Sequence, residues 1–154
     1  MYDKKEGQGI TGKTYAGCVF ENSPPSNPQG GAGLASTLAD YNRFAHMLLR
    51  EGESEGGRIL TREAVRLMST PQIGPEIQGG KQRWGLSMRV ITSETYERLP
   101  VGAYGWSGAY GTHFWVDPVH QIVAVYMKNS KYDGGSGALT SANFERDVAA
   151  ALQG

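Results

Sequence analysis

Only one cysteine, Cys18, occurs in 154 residues, so the chain can form no internal disulfide and no multi-cysteine zinc site. Cys18 itself reads as a small buried hydrophobe. No apolar run approaches the ~20 residues of a membrane span; the best is 122–127. The first thirteen residues carry Lys4, Lys5, Glu6 and Lys13 without the apolar stretch of a secretory signal. An excess of either charge is also missing. Fifteen Lys plus Arg balance fifteen Asp plus Glu, which removes the electrostatic case for nucleic acid or an anionic membrane surface as partner. No pair of the three histidines has a ligand spacing such as His-Glu-x-x-His, and neither a metal nor a cofactor is implied.

Glycine, by contrast, is abundant: 22 of 154 residues, about twice the usual ~7%. The glycines follow no fixed period, which excludes collagen and solenoids and places them in loops and at strand ends. The length suits a single domain that buries roughly 70% of its unfolded surface. Residues 1–33 form a glycine- and proline-rich loop segment, ending in Pro24, Pro25, Pro28, Gly30 and Gly31, which neither helix nor inner strand tolerates. Residues 34–154 carry the periodic patterns. A helix is expected after Thr37, capped by its hydroxyl with Asp40 returning the bond, and ended by Gly52. Its apolar stripe is Leu38, Tyr41, Phe44, Ala45, Leu48 and Leu49. A second helix is expected after Thr61, with Glu63 in its first turn and Ala64, Val65, Leu67 and Met68 inward, stopped by Pro71.

From Arg83 the period changes to that of strands, with candidates at 84–91, 112–116 and 121–128. The last is apolar on both faces, as in a strand covered on each side. Asp117, Pro118, Val119 and His120 read as the tight turn that joins the last two strands. A closing helix is capped by Thr140 or Ser141, with Phe144, Val148, Ala151 and Leu152 on one face. Helices, an antiparallel sheet of about three strands and a final helix make an α+β fold.

Two strings invite chemistry. Gly7-Gln8-Gly9-Ile10-Thr11-Gly12-Lys13-Thr14 satisfies both the P-loop and the Gly-x-Gly-x-x-Gly patterns. A P-loop needs a buried strand before it and a helix after it. Met1 to Glu6 is no buried strand, and the prolines cut short any helix, so the string reads as a glycine loop. The second string is Tyr104-Gly105-Trp106-Ser107-Gly108-Ala109-Tyr110-Gly111-Thr112. Its glycines interrupt a region that otherwise reads as strand, either as a bulged, twisted hairpin or as an edge that a ligand approaches. Gly105-x-Ser107 lacks the second glycine of a nucleophile elbow, and strand rather than helix follows. His46 reads as a solvated residue, His120 as part of a turn and His113 as cross-strand packing, with a place lining a cleft as its alternative.

Residues 30–37, Asp40-Tyr41, 44–49, 57–61, Trp84-Gly85-Leu86, 105–112 and Phe114-Trp115-Val116-Asp117-Pro118 together resemble the serine β-lactamase-related family. That family comprises class C-type β-lactamases, penicillin-binding carboxypeptidases and esterases of the same fold. The resemblance implies a site built from a Ser-x-x-Lys nucleophile and base, a Tyr-x-Asn element and a third motif on a sheet strand. Trp106, Ser107 and Gly108 fall on the third element. By the same resemblance, the amide of Ala109 is one oxyanion-hole donor, and Trp106, Ser107, Gly108 and Tyr110 contact substrate. Trp106 stands where the family often carries Lys or His, which tilts the expected substrate from carboxylate-bearing compounds towards neutral esters or amides.

No serine here is followed three residues later by lysine, and no tyrosine two residues later by asparagine. The chain therefore reads as the C-terminal portion of such a hydrolase, inactive alone, with a small-molecule ester or amide as its substrate when complete. An exposed strand edge and apolar face would favour a homo-oligomer or association with an N-terminal segment. The alternatives are a non-catalytic binding module of the same fold and, more remotely, a P-loop nucleotide binder.

Overall fold

The computed structural model describes residues 2–3, 11–12, 34–77, 80–128 and 138–153. Two short strands, β1 (Tyr2–Asp3) and β2 (Thr11–Gly12), pair antiparallel. The rest of the glycine-rich string at 7–14, together with Cys18 and the proline run, lies outside the described residues.

Helix α1 (Leu38–Leu49) begins where its cap requires. The Asp40 amide donates to Thr37 Oγ1 at 3.1 Å, and the Thr37 hydroxyl donates to the Asp40 carboxylate at 2.9 Å. Asp40 thus returns the bond to the hydroxyl itself. The chain leaves the helix through Glu51 and Gly52, both at positive φ, with the Gly52 amide bonded to Met47 O. Burial is centred on Ala45, Met47 and Leu48, while Leu38 is exposed and His46 half-buried, so the inward face is rotated from the expected stripe. A two-residue hairpin, β3 (Glu53–Ser54) and β4 (Gly57–Arg58), leads to α2 (Arg62–Ser69). Thr61 Oγ1 caps α2 through the Ala64 amide at 3.1 Å. Only Val65 of α2 is fully buried; Ala64, Leu67 and Met68 are half-buried.

Six strands then form one antiparallel sheet: β5 (Ile73–Ile77), β6 (Gln82–Trp84), β7 (Arg89–Ile91), β8 (Tyr104–Ser107), β9 (His113–Asp117) and β10 (Ile122–Tyr126). They lie in the order β10-β9-β8-β7-β6-β5, an uninterrupted meander. The sheet has six strands where the sequence suggested about three. The expected strand at 84–91 is a hairpin of β6 and β7, turned by Gly85 N donating to Met88 O with Ser87 at positive φ. Strand β5 carries Gly74 and Pro75, which mask a strand pattern in sequence.

The sheet is covered on both faces. Ala45, Leu48 and Val65 pack with Val90, Tyr104, Phe114 and Val116 on one side. Ile91, Tyr96, Leu99, Trp115 and Ala124 form the other cluster, against Phe144 and Val148 of α3 (Leu139–Gln153). Alternation along β9 and β10 divides their side chains between these layers. Helix α3 starts earlier than expected: Ser141 Oγ donates to Ala138 O, so neither Thr140 nor Ser141 caps it. Ala151 and Leu152 are exposed and take no part in its packed face. No helix among the described residues is long and apolar enough to cross a membrane.

Candidate active site

The hairpin of β8 and β9 carries all five residues singled out from the sequence. Its last register pair is Ser107 with His113. Beyond that pair, Gly108 N donates to Thr112 O at 2.8 Å and Gly111 N donates to Gly108 O at 2.9 Å, so residues 108–112 form a closed turn with Ala109 and Tyr110 at its tip. Two glycines fit by close approach. A Cβ on Gly105 would lie 2.1 Å from Phe114 O and 2.6 Å from Trp115 Cα, and one on Gly108 would lie 2.5 Å from Thr112 Oγ1. The first pins β8 against the β9 backbone; the second lets the turn close.

Alternation splits the five residues across the sheet. Trp106 is 40% exposed, with its ring centroid 4.5 Å from that of Trp84, and Tyr110 is 47% exposed. Ser107, 7% exposed, turns to the α3 side, where its Oγ lies 2.7 Å from His113 Nδ1. Trp106 and Tyr110 therefore face solvent, whereas the Ser107 hydroxyl is engaged in the interior.

That hydroxyl begins a buried polar chain. His113 Nε2 is 3.0 Å from Oε1 of Glu145, a residue of α3 that is 1% exposed. Arg89 Nη2 donates to the same oxygen at 2.6 Å, and Arg98 Nε donates to Oε2 at 2.9 Å. The Tyr96 hydroxyl donates to Oε2 at 2.9 Å and accepts from Arg98 Nη2 and Arg89 Nη1, so its hydrogen-bonding capacity is filled. The Arg98 guanidinium also lies 4.6 Å from the Tyr96 ring centroid. Within this cluster only Arg89 Nε is buried without a partner among the described residues.

Burial alone would raise the Glu145 pKa, but the hydrogen bond with His113 and the charge and hydrogen bond of Arg89 outweigh it and hold the carboxyl at about 2. For Tyr96, burial raises the hydroxyl pKa despite the opposing Arg89 charge. A deprotonated carboxylate only accepts, so Nε2 of His113 carries the hydrogen. In the neutral ring Nδ1 is then the acceptor, and Ser107 donates to it. The connectivity is that of a Ser-His-acid relay, with its hydroxyl buried on the α3 side of the sheet.

This chain of groups sets an acid limit. Because the folded-state pKa of Glu145 lies below its ordinary value near 4.5, its contribution is complete above about pH 5 and is lost as pH falls towards about 2. The gap corresponds to about 3 kcal/mol. Urea unfolding followed from pH 6 to pH 2 is expected to show this loss, and a Glu145→Gln chain a flatter profile.

Sequence reasoning missed Arg89, Tyr96, Arg98 and Glu145, and it favoured cross-strand packing over a cleft-lining role for His113. The available signal was Glu145 itself, a carboxylate on the inward side of a helix beside Phe144 and Val148.

The chain belongs to the beta-lactamase family, whose family model matches residues 3–145. It is 36% identical over 119 residues to Protein Rv1367c of Mycobacterium tuberculosis (strain ATCC 25618 / H37Rv), covering 68% of this chain and 30% of that protein. It is 29% identical over 139 residues to Esterase EstB of Burkholderia gladioli, covering 89% of this chain and 34% of the esterase. Among solved structures it resembles EstCE1, a hydrolase with promiscuous acyltransferase activity, at a TM-score of 0.56 and 28% identity, over 67% of this chain and 27% of that one. The chain spans about a third of the length of the curated relatives it matches. Fold and family are those of beta-lactamase-fold hydrolases, with an esterase among the relatives.

Proposed function

We propose that this chain supplies the sheet-strand wall of a serine acyl-hydrolase cleft, with Trp106 and the Ala109 turn facing an ester or amide substrate. The observation that carries the reading is the β8–β9 hairpin end. An exposed Trp106 stands beside a turn closed by two backbone hydrogen bonds, in a chain of a hydrolase family. A fixed amide at Ala109 suits an oxyanion donor, because donors aligned before charge develops cost no reorganisation during reaction. Gly108 lets the turn close, Tyr110 lies at the rim, and Ser107 contributes by holding the strand.

The nucleophile comes from a Ser-x-x-Lys segment outside these 154 residues, since no serine here has that spacing. An indole at position 106 carries no positive charge for a substrate carboxylate. The likeness to Esterase EstB supports an ester as the substrate class.

The test is a substrate ratio. The chain combined with a Ser-x-x-Lys segment is expected to hydrolyse p-nitrophenyl butyrate in preference to nitrocefin. Trp106→Lys should move kcat/KM towards nitrocefin by up to about fivefold, the value of one exposed ion pair of about 1 kcal/mol. An unchanged ratio would remove Trp106 from the specificity argument.

A further inference from the structure

We propose that Glu145 is a positioning residue for the acyl site: acting through His113 and Ser107, it holds the Ala109 turn from the opposite side of the sheet. This inference rests on the hydrolase reading above. Ser107 ends β8 and His113 begins β9, and the two are register partners. Their 2.7 Å side-chain bond therefore crosses the neck of the turn, one step before the backbone bond from Gly108 N to Thr112 O. The neck is tied to α3 by the 3.0 Å contact between His113 Nε2 and Glu145.

The rest of the cluster makes that tie directional. Arg89, Arg98 and Tyr96 occupy the remaining acceptor positions of the carboxylate, leaving one Oε1 direction for the imidazole. A carboxylate that only accepts holds a ring hydrogen on Nε2 and so sets the ring orientation in which Nδ1 meets the Ser107 hydroxyl. Stability alone does not call for such a device, since well-packed apolar side chains of similar volume often stabilise a core as much as a buried ion pair does. What the network adds is orientation, placed under the turn whose amide must meet a developing oxyanion. Small displacements there cost rate rather than ground-state affinity.

The experiment uses Glu145→Gln and, because that variant leaves two guanidinium groups unbalanced, Ser107→Ala as a second variant that spares the buried charges. Amide hydrogen exchange is measured by NMR on the 154-residue chain, and steady-state p-nitrophenyl butyrate kinetics on the assembly with a Ser-x-x-Lys segment. Both variants are expected to speed exchange at Gly108 and Gly111 at least about tenfold more than in α1. They should also lower kcat about tenfold or more while KM stays within about twofold. Exchange that rises equally in α1 and the turn, or an unchanged kcat in Ser107→Ala, would reduce Glu145 to a structural group and overturn the proposal. If the wild-type assembly turns over no ester, the hydrolase reading fails by itself. The exchange comparison then still decides whether Glu145 holds the turn.

Discussion

Glu145→Leu is expected to cost about 3–5 kcal/mol of folding stability, the range for removing one partner of a buried charge network. The carboxylate is enclosed by Arg89, Arg98, Tyr96 and His113. Leucine fills comparable space but leaves the Arg89 guanidinium, whose side chain is only 12% exposed, without its counter-charge. Arg98, at 37% side-chain exposure, recovers some hydration by turning outward, so Arg89 carries most of the penalty. A second substitution, Arg89→Met, should therefore restore more than half of the loss, because an apolar pair replaces an orphaned charge. Urea unfolding midpoints at pH 7 and unchanged m-values would document both steps. A loss under about 1 kcal/mol in the single variant would mean that the network is largely hydrated.

Gly105→Ala is expected to be nearly as damaging, for a steric reason. The added carbon would meet the Phe114 carbonyl and the Trp115 Cα, both backbone atoms of the neighbouring strand, so no side chain can move aside. Strands β8 and β9 must separate locally, at a cost of about 3 kcal/mol or more, the upper end of overpacking. Gly56→Ala is a suitable control, since its added carbon would meet only Ser54 Oγ at 4.0 Å, and it should stay within about 0.5 kcal/mol. Thermal melts of the two variants side by side would separate a crowded strand from a general intolerance of alanine.

Much of the framework could be read from the residues because its determinants are local. Thr37 and Thr61 cap helices through bonds to amides three residues on, which sequence spacing displays directly. The turn after β9 is equally legible: Asp117 Oδ1 accepts from the Val119 and His120 amides, as an aspartate opening a turn does. The double-sided apolar pattern of β10 foretold a strand covered on each side, and core clusters lie on both faces of the sheet. The hairpin of β6 and β7 was not legible, because strands of three residues are too short to show a period, and the turn places the non-glycine Ser87 at positive φ.

The site divides in the same way. Trp106 to Tyr110 are contiguous and visible as a string. The Glu145 carboxylate bonds to residues 32 to 56 positions away in the chain, and nothing local announces such pairings. Ser107 shows the limit most plainly. Strand alternation turns its hydroxyl to His113 on the α3 side, a pairing that its place in the string does not display.

We propose that this hairpin is one wall of a cleft whose attacking alcohol belongs to a Ser-x-x-Lys segment that these residues lack. The most direct test is p-nitrophenyl butyrate turnover by the 154-residue chain alone and after a Ser-x-x-Lys segment is added. No turnover above background is expected from the chain alone, and turnover in the mixture should be lost when the added serine is replaced by alanine. Turnover by the chain alone, abolished by Ser107→Ala, would contradict the proposal and make the buried Ser107, His113 and Glu145 relay the catalytic machinery.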